Sequence, residues 1–127
     1  MRGSCLCQKI TYEILAEPRS VVGCHCVQCR KTSGHYVAAT QIKSELLEIK
    51  GLSNLTWFQS SVTAKRGFCK KCGSQLFWTE VGSGKTSVMA GTIDGATGLT
   101  MDRQIHSETK GDYYELPDST IVDQSTL

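Results

Sequence analysis

An all-β, or at least β-rich, domain is predicted by three features: short runs that alternate apolar and polar residues, glycines spaced closely between them, and no long stretch of helical periodicity. The chain has 127 residues, the size of one ordinary domain, so 1–127 is read as a single compact unit with 119–127 as a loose polar tail.

Gln8 to Leu15 alternates with Ile10, Tyr12 and Ile14 on one face and Thr11 and Glu13 on the other, as a half-buried strand does. Similar runs follow at Tyr36 to Ile42, Leu46 to Ile49, Leu55 to Gln59, Gln75 to Thr79 and Thr86 to Ala90. Gly51, Gly67, Gly73, Gly82 and Asp94-Gly95 are among the turns that punctuate them. Only Val27 to Thr32 and Ser44 to Leu47, with Ser44 as N-cap, suit a turn or two of helix. At strand spacing Trp57, Phe58, Phe77 and Trp78 read as core.

Fourteen Lys and Arg against twelve Asp and Glu give a net charge of +2, with the basic residues scattered in short pairs. That balance argues against a nucleic-acid partner. No apolar run is long enough to serve as a signal peptide or a membrane span, so the expected setting is the cytoplasm. Seven cysteines there are better explained by metal than by disulfides, and an odd number cannot all pair within the chain.

The cysteines form three clusters: Cys5-Leu6-Cys7, Cys24-His25-Cys26-Val27-Gln28-Cys29 and Cys69-Lys70-Lys71-Cys72-Gly73. The last has zinc-knuckle spacing. Cys5 and Cys7, one residue apart, project from the same face of an extended segment while Leu6 turns away. Together Cys5, Cys7, Cys69 and Cys72 make a closed four-thiolate zinc that staples a small core. Cys24 and Cys26 face one way by the same alternation, and Cys29 comes round to the same ion as the chain curls into a helix. Three thiolates leave a fourth position open, as at a catalytic zinc. Two other readings stay open: His25, His35 or His106 closes the site, His25 being disfavoured because it alternates away, or the cluster is empty or oxidised.

These three clusters and their flanks, Arg2-Gly3-Ser4, Arg30-Lys31-Thr32-Ser33-Gly34 and Arg66-Gly67-Phe68, together with His106 and Tyr114-Glu115-Leu116-Pro117-Asp118, closely resemble the glutathione-dependent formaldehyde-activating enzyme family, which includes centromere protein V. The resemblance implies small twisted antiparallel sheets around a structural zinc, a β-tent similar to Mss4-like proteins. It also implies a second, labile zinc on Cys24, Cys26 and Cys29, near which glutathione is handled. This sequence departs from the family at Gln8, where Gly is usual, at Asp112-Tyr113, where Pro-Trp is common, and after Asp118, where a Pro is missing.

The activity so implied is carbon–sulfur lyase chemistry: a thiol such as glutathione adds to formaldehyde or a related small aldehyde to give S-hydroxymethylglutathione. Cys24, Cys26 and Cys29 are its expected centre. Arg30, Lys31 and Arg66 are candidate holders of the substrate carboxylates, and His106 is a candidate proton shuttle. The alternative is a zinc-stabilised binding module for a protein partner. A methionine sulfoxide reductase is disfavoured, since no cysteine follows Cys72 to serve as a redox thiol outside the metal sites.

Overall fold

The computed structural model describes residues 1–116, 122–123 and 127. Strands β1 (Arg2–Ser4), β2 (Thr11–Ile14) and β3 (Val21–Cys24) precede helix α1 (Val27–Ser33). After it come β4 (Val37–Lys43), β5 (Leu47–Lys50), β6 (Leu55–Gln59), β7 (Ala64–Cys69), β8 (Gln75–Glu80), β9 (Lys85–Met89), β10 (Met101–Ile105) and β11 (Val122–Asp123). The tail expected over 119–127 lies outside the described residues except for β11 and Leu127, and so does the position after Asp118. Among the described residues, no helix is long and apolar enough to cross a membrane.

The strands form a three-stranded sheet, β1-β2-β5, and an eight-stranded sheet, β11-β10-β3-β4-β9-β8-β7-β6. The larger sheet is mixed rather than purely antiparallel, because β10 runs parallel to both β3 and β11. Parallel pairing needs a long connection, and most of the chain separates β3 from β10.

Alternation along the larger sheet creates two cores. Phe77 and Val88 face the small sheet and pack with Ile10, Tyr12, Ile14 and Ile42. On the other face Trp78, Ala39, Met89 and Val22 pack with Cys29 of α1. Each buried Val, Ile, Phe or Met side chain among them contributes about 1.5–3 kcal/mol. Cys5 and Cys69 belong to the first core, Cys24 and Cys29 to the second, so the sheet separates the two thiol clusters.

Helix α1 starts where Cys26 caps it: the Cys26 sulfur accepts from the Cys29 N–H at 3.3 Å. It ends at Gly34, whose φ of +83° no β-carbon penalises and whose N–H closes on the Arg30 carbonyl at 2.8 Å. The Ser44 segment is a single 3₁₀ turn, and Ser44 lies inside it rather than capping it. Phe58, expected in the core, is 60% exposed because β6 is the outermost strand of its sheet.

Candidate metal centres

Cys5, Cys7, Cys69 and Cys72 bring four sulfurs within 4.8 Å of one another. Cys7 Sγ lies 3.6 Å from that of Cys5 and 3.7 Å from that of Cys69. A tetrahedral zinc with Zn–S bonds of about 2.3 Å needs sulfurs about 3.8 Å apart, so the cluster has the geometry to hold one. Backbone N–H groups prepare the thiolates: Ile10 donates to Cys5 and Lys71 to Cys69, each at 3.4 Å. Hydrogen bonds from the Ser74 side chain and backbone pull Cys72 down to about 5.

The Cys5–Cys7 segment is not extended, as the one-residue spacing predicted. It is a turn closed by the Gln8 N–H on the Cys5 carbonyl at 3.0 Å, although Leu6 does point outward, 83% exposed. An extended chain would leave Ile10 too distant to donate to Cys5, whereas the turn folds it under the sulfur. Both cysteine pairs are therefore knuckles. Each is followed by a left-handed residue, Gln8 at φ +63° and Gly73 at φ +79°.

On the opposite face of the larger sheet, Cys24 ends β3, Cys26 caps α1 and Cys29 lies in its first turn. Their three sulfurs also fall within 4.8 Å of one another, and no histidine nitrogen joins them among the described residues. Hydrogen bonds from the Cys24 and Cys29 thiols, with the Cys29 N–H and the Arg66 charge adding to them, pull Cys26 down to about 2. Cys24 is pushed up by donating to Cys26 and Cys29 and by burial. The donor set is soft, trigonal and open on one side, which fits zinc with a vacant fourth position.

A cleft of about 240 Å³ runs along this cluster, and Arg66, Trp78, Glu80 and His106 line it with the cysteines. Arg66 is only 4% exposed, and its Nη2 lies 3.6 Å from Cys29 Sγ. His106 has a left-handed backbone, φ 54° and ψ 40°, and its Nδ1 lies 3.8 Å from the Glu108 carboxylate. Arg30 instead reaches the Thr109 carbonyl at 3.1 Å, and Lys31 is exposed; neither lines the cleft. Their place in the last turn of α1 suits the helix dipole.

His25 turns away from the sulfurs into a polar network that the sequence did not reveal. Its Nε2 donates to Gln104 Oε1 at 2.6 Å, and Tyr114 Oη donates to its Nδ1 at 2.5 Å. Burial holds the imidazole below its ordinary pKa, hence neutral. Gln104 reaches His25 by crossing Gly23, where a β-carbon would stand 2.3 Å from Gln104 Oε1. Tyr113, one of the family departures, bonds His35 at 2.8 Å on this side and does not line the cleft.

A mostly β chain that holds a closed four-thiol cluster on one face of its main sheet and an open three-thiol cluster on the other defines a class of small metal–thiolate proteins. Within that class the chain belongs to the family described as glutathione-dependent formaldehyde-activating enzyme, which matches residues 1–109. It is 30% identical over 122 residues to an uncharacterized lyase of Schizosaccharomyces pombe, covering 93% of this chain and 86% of the relative. A crystal structure of a Rhodobacter sphaeroides protein superposes with a TM-score of 0.60 at 27% identity, covering 76% of this chain and 90% of that one.

Proposed function

We propose that the chain is a zinc-dependent carbon–sulfur lyase that adds a thiol, glutathione first among candidates, to formaldehyde or a related small aldehyde. The observation that carries this reading is the open three-sulfur cluster at the wall of a cleft that also holds a buried arginine and a histidine. The family's description and the name of the fission-yeast relative support it. Seven free thiols suit a reducing, cytoplasmic setting.

When bound at the three-thiolate site, zinc supplies a position for an external thiol and lowers that thiol's pKa. Cys24, Cys26 and Cys29 make the site electron-rich, which favours thiol exchange over activation of water. The Arg66 charge offsets part of that negative charge. His106 takes the thiol proton at Nε2, its Nδ1 being turned toward Glu108. The substrate sulfur then attacks the carbonyl carbon; a C–S bond forms as the C=O π bond breaks, and His106 returns the proton to the new alkoxide oxygen.

The test is the rate of exchange between ¹³C-formaldehyde and S-hydroxymethylglutathione, read by NMR with and without protein. The expected result is an acceleration proportional to protein concentration and lost in Cys26→Ser. An exchange rate equal to the spontaneous one sinks the lyase reading and leaves a zinc-stapled binding module.

A further inference from the structure

The larger sheet ends on β6, and among the described residues no strand pairs with its outer edge. The direction in which each backbone group of β6 points follows from its pairing with β7. The Lys70 N–H donates to the Asn54 carbonyl at 2.8 Å and the Ser60 N–H to the Ala64 carbonyl at 3.0 Å, so the even-numbered residues from 54 to 60 bond β7. In an antiparallel pair the residues between them point the other way. The Leu52 carbonyl takes the Leu55 N–H. The Leu55 carbonyl and both backbone groups of Trp57 and Gln59 are left on the open edge.

Exposed sheet edges are ordinarily blunted by charge, proline, a bulge or shortness. The other edges here show such devices: β1 and β11 are three and two residues long, and β5 carries Glu48 and Lys50. β6 shows none of them. It is five residues long, pairs with β7 without a bulge, and lies in a run from Gly51 to Ala64 that has neither a charged residue nor a proline. Within that run Leu52, Phe58 and Val62 are each at least 60% exposed. A hydrogen-bonding edge left open in an uncharged, partly apolar setting suits cover by another strand.

We propose that a second copy of this chain covers it, β6 pairing antiparallel with β6 about a two-fold axis at Trp57. The symmetry of the run identifies the occupant. Such an axis sets Leu55 against Gln59 of the second copy and Thr56 against its Phe58. The two Trp57 residues then exchange their N–H and carbonyl, and each Gln59 N–H reaches the opposite Leu55 carbonyl, which uses every N–H left on the edge. Leu52 and Val62 stand equally far from Trp57 in sequence, so the exposed apolar residues at the two ends of the run come to the same end of the joint. No like charges meet, whereas a charged partner strand would set its charges against a neutral edge. On the first-core face the Trp57 ring, 6.3 Å from that of Phe77, gains its own counterpart as a cross-strand neighbour. One strand and its flanking turns bury less than the roughly 1,200–2,000 Å² of a stable interface, so the dimer depends on concentration.

The test is sedimentation of the zinc-loaded protein over about a hundredfold range of concentration, with amide hydrogen exchange read by NMR at the upper end. The expected result is a dimer that forms as concentration rises. Gln59→Pro removes an outward N–H without touching the bonds to β7, and Phe58→Lys puts a charge on the edge at an exposed position. Each should weaken association about tenfold or more. Zinc content and far-UV circular dichroism equal to wild type show that a variant is folded, and Phe58→Lys carries the test if the proline variant does not fold. Relative to Phe58→Lys, the Trp57 and Gln59 amides of the wild type should exchange about tenfold more slowly, while that of Thr56, already bonded to β7, stays the same. A wild type that remains monomeric throughout overturns the proposal. So does a dimer that persists in Phe58→Lys, or one whose Trp57 and Gln59 amides exchange as fast as in that variant.

Discussion

Arg66 Nη2 and Cys29 Sγ, 37 positions apart in the chain, meet at 3.6 Å beneath α1. The alternation of β7 turns Arg66 inward at a position where an apolar residue is usual, and no ion pair to it occurs among the described residues. Its charge faces the three thiols instead. Arg66→Met is expected to weaken zinc at the three-thiolate site about tenfold, or about 1.4 kcal/mol, the size of a hydrogen bond to a charged group. The four-thiolate site should be unchanged. Chelator competition that resolves the two sites checks this.

Gln8 occupies the left-handed region at φ +63°, whereas Gly73 does the same work in the other knuckle at φ +79°. A side chain there costs about 1 kcal/mol. Gln8→Gly should therefore raise stability by about that much, seen as a higher midpoint in thermal unfolding of the zinc-loaded protein.

Tyr114 holds His25 from the side opposite Gln104. Tyr114→Phe leaves the His25 Nδ1 without its donor, at a cost of about 1 kcal/mol. Because His25 lies between Cys24 and Cys26, zinc release from the three-thiolate site should quicken while the knuckle site holds. Stopped-flow transfer to a chelator separates the two phases.

Tyr12 is buried against Phe77 with its hydroxyl 2.7 Å from that of Thr92, and burial pushes its pKa up to about 12. The folded state keeps this proton after the unfolded chain has lost it. The resulting stability is present below about pH 10 and is lost as pH rises toward 12, about 2 kcal/mol in all. The stability gap between wild type and Tyr12→Phe should narrow over that range in denaturant titrations.

The β class was legible in the sequence, since alternation carries a local signal, and so was a turn of helix at Val27 to Thr32, just after the central cysteines. The partition of the cysteines into two groups was legible too, because knuckle spacing and the Cys24–Cys29 run have different geometric demands. Five strands were not, β11 among them because it falls in the polar tail read as loose. β3 has all four residues buried and so shows no alternation, and β7 hides behind Lys65 and the inward-facing Arg66. β1 is only three residues long, and β10 places Asp102 and Arg103 side by side. The His25–Gln104–Tyr114 network joins positions up to 89 apart, which no spacing rule reaches.

Zinc per chain, measured on protein purified without chelator for wild type and Cys26→Ser and followed by glutathione titration of each, tests the central claim most directly. The expected result is near two zinc in the wild type and near one in the variant, with a glutathione response only in the wild type. Near one zinc in both, with no response to glutathione, would contradict an open thiol-binding site at Cys24, Cys26 and Cys29.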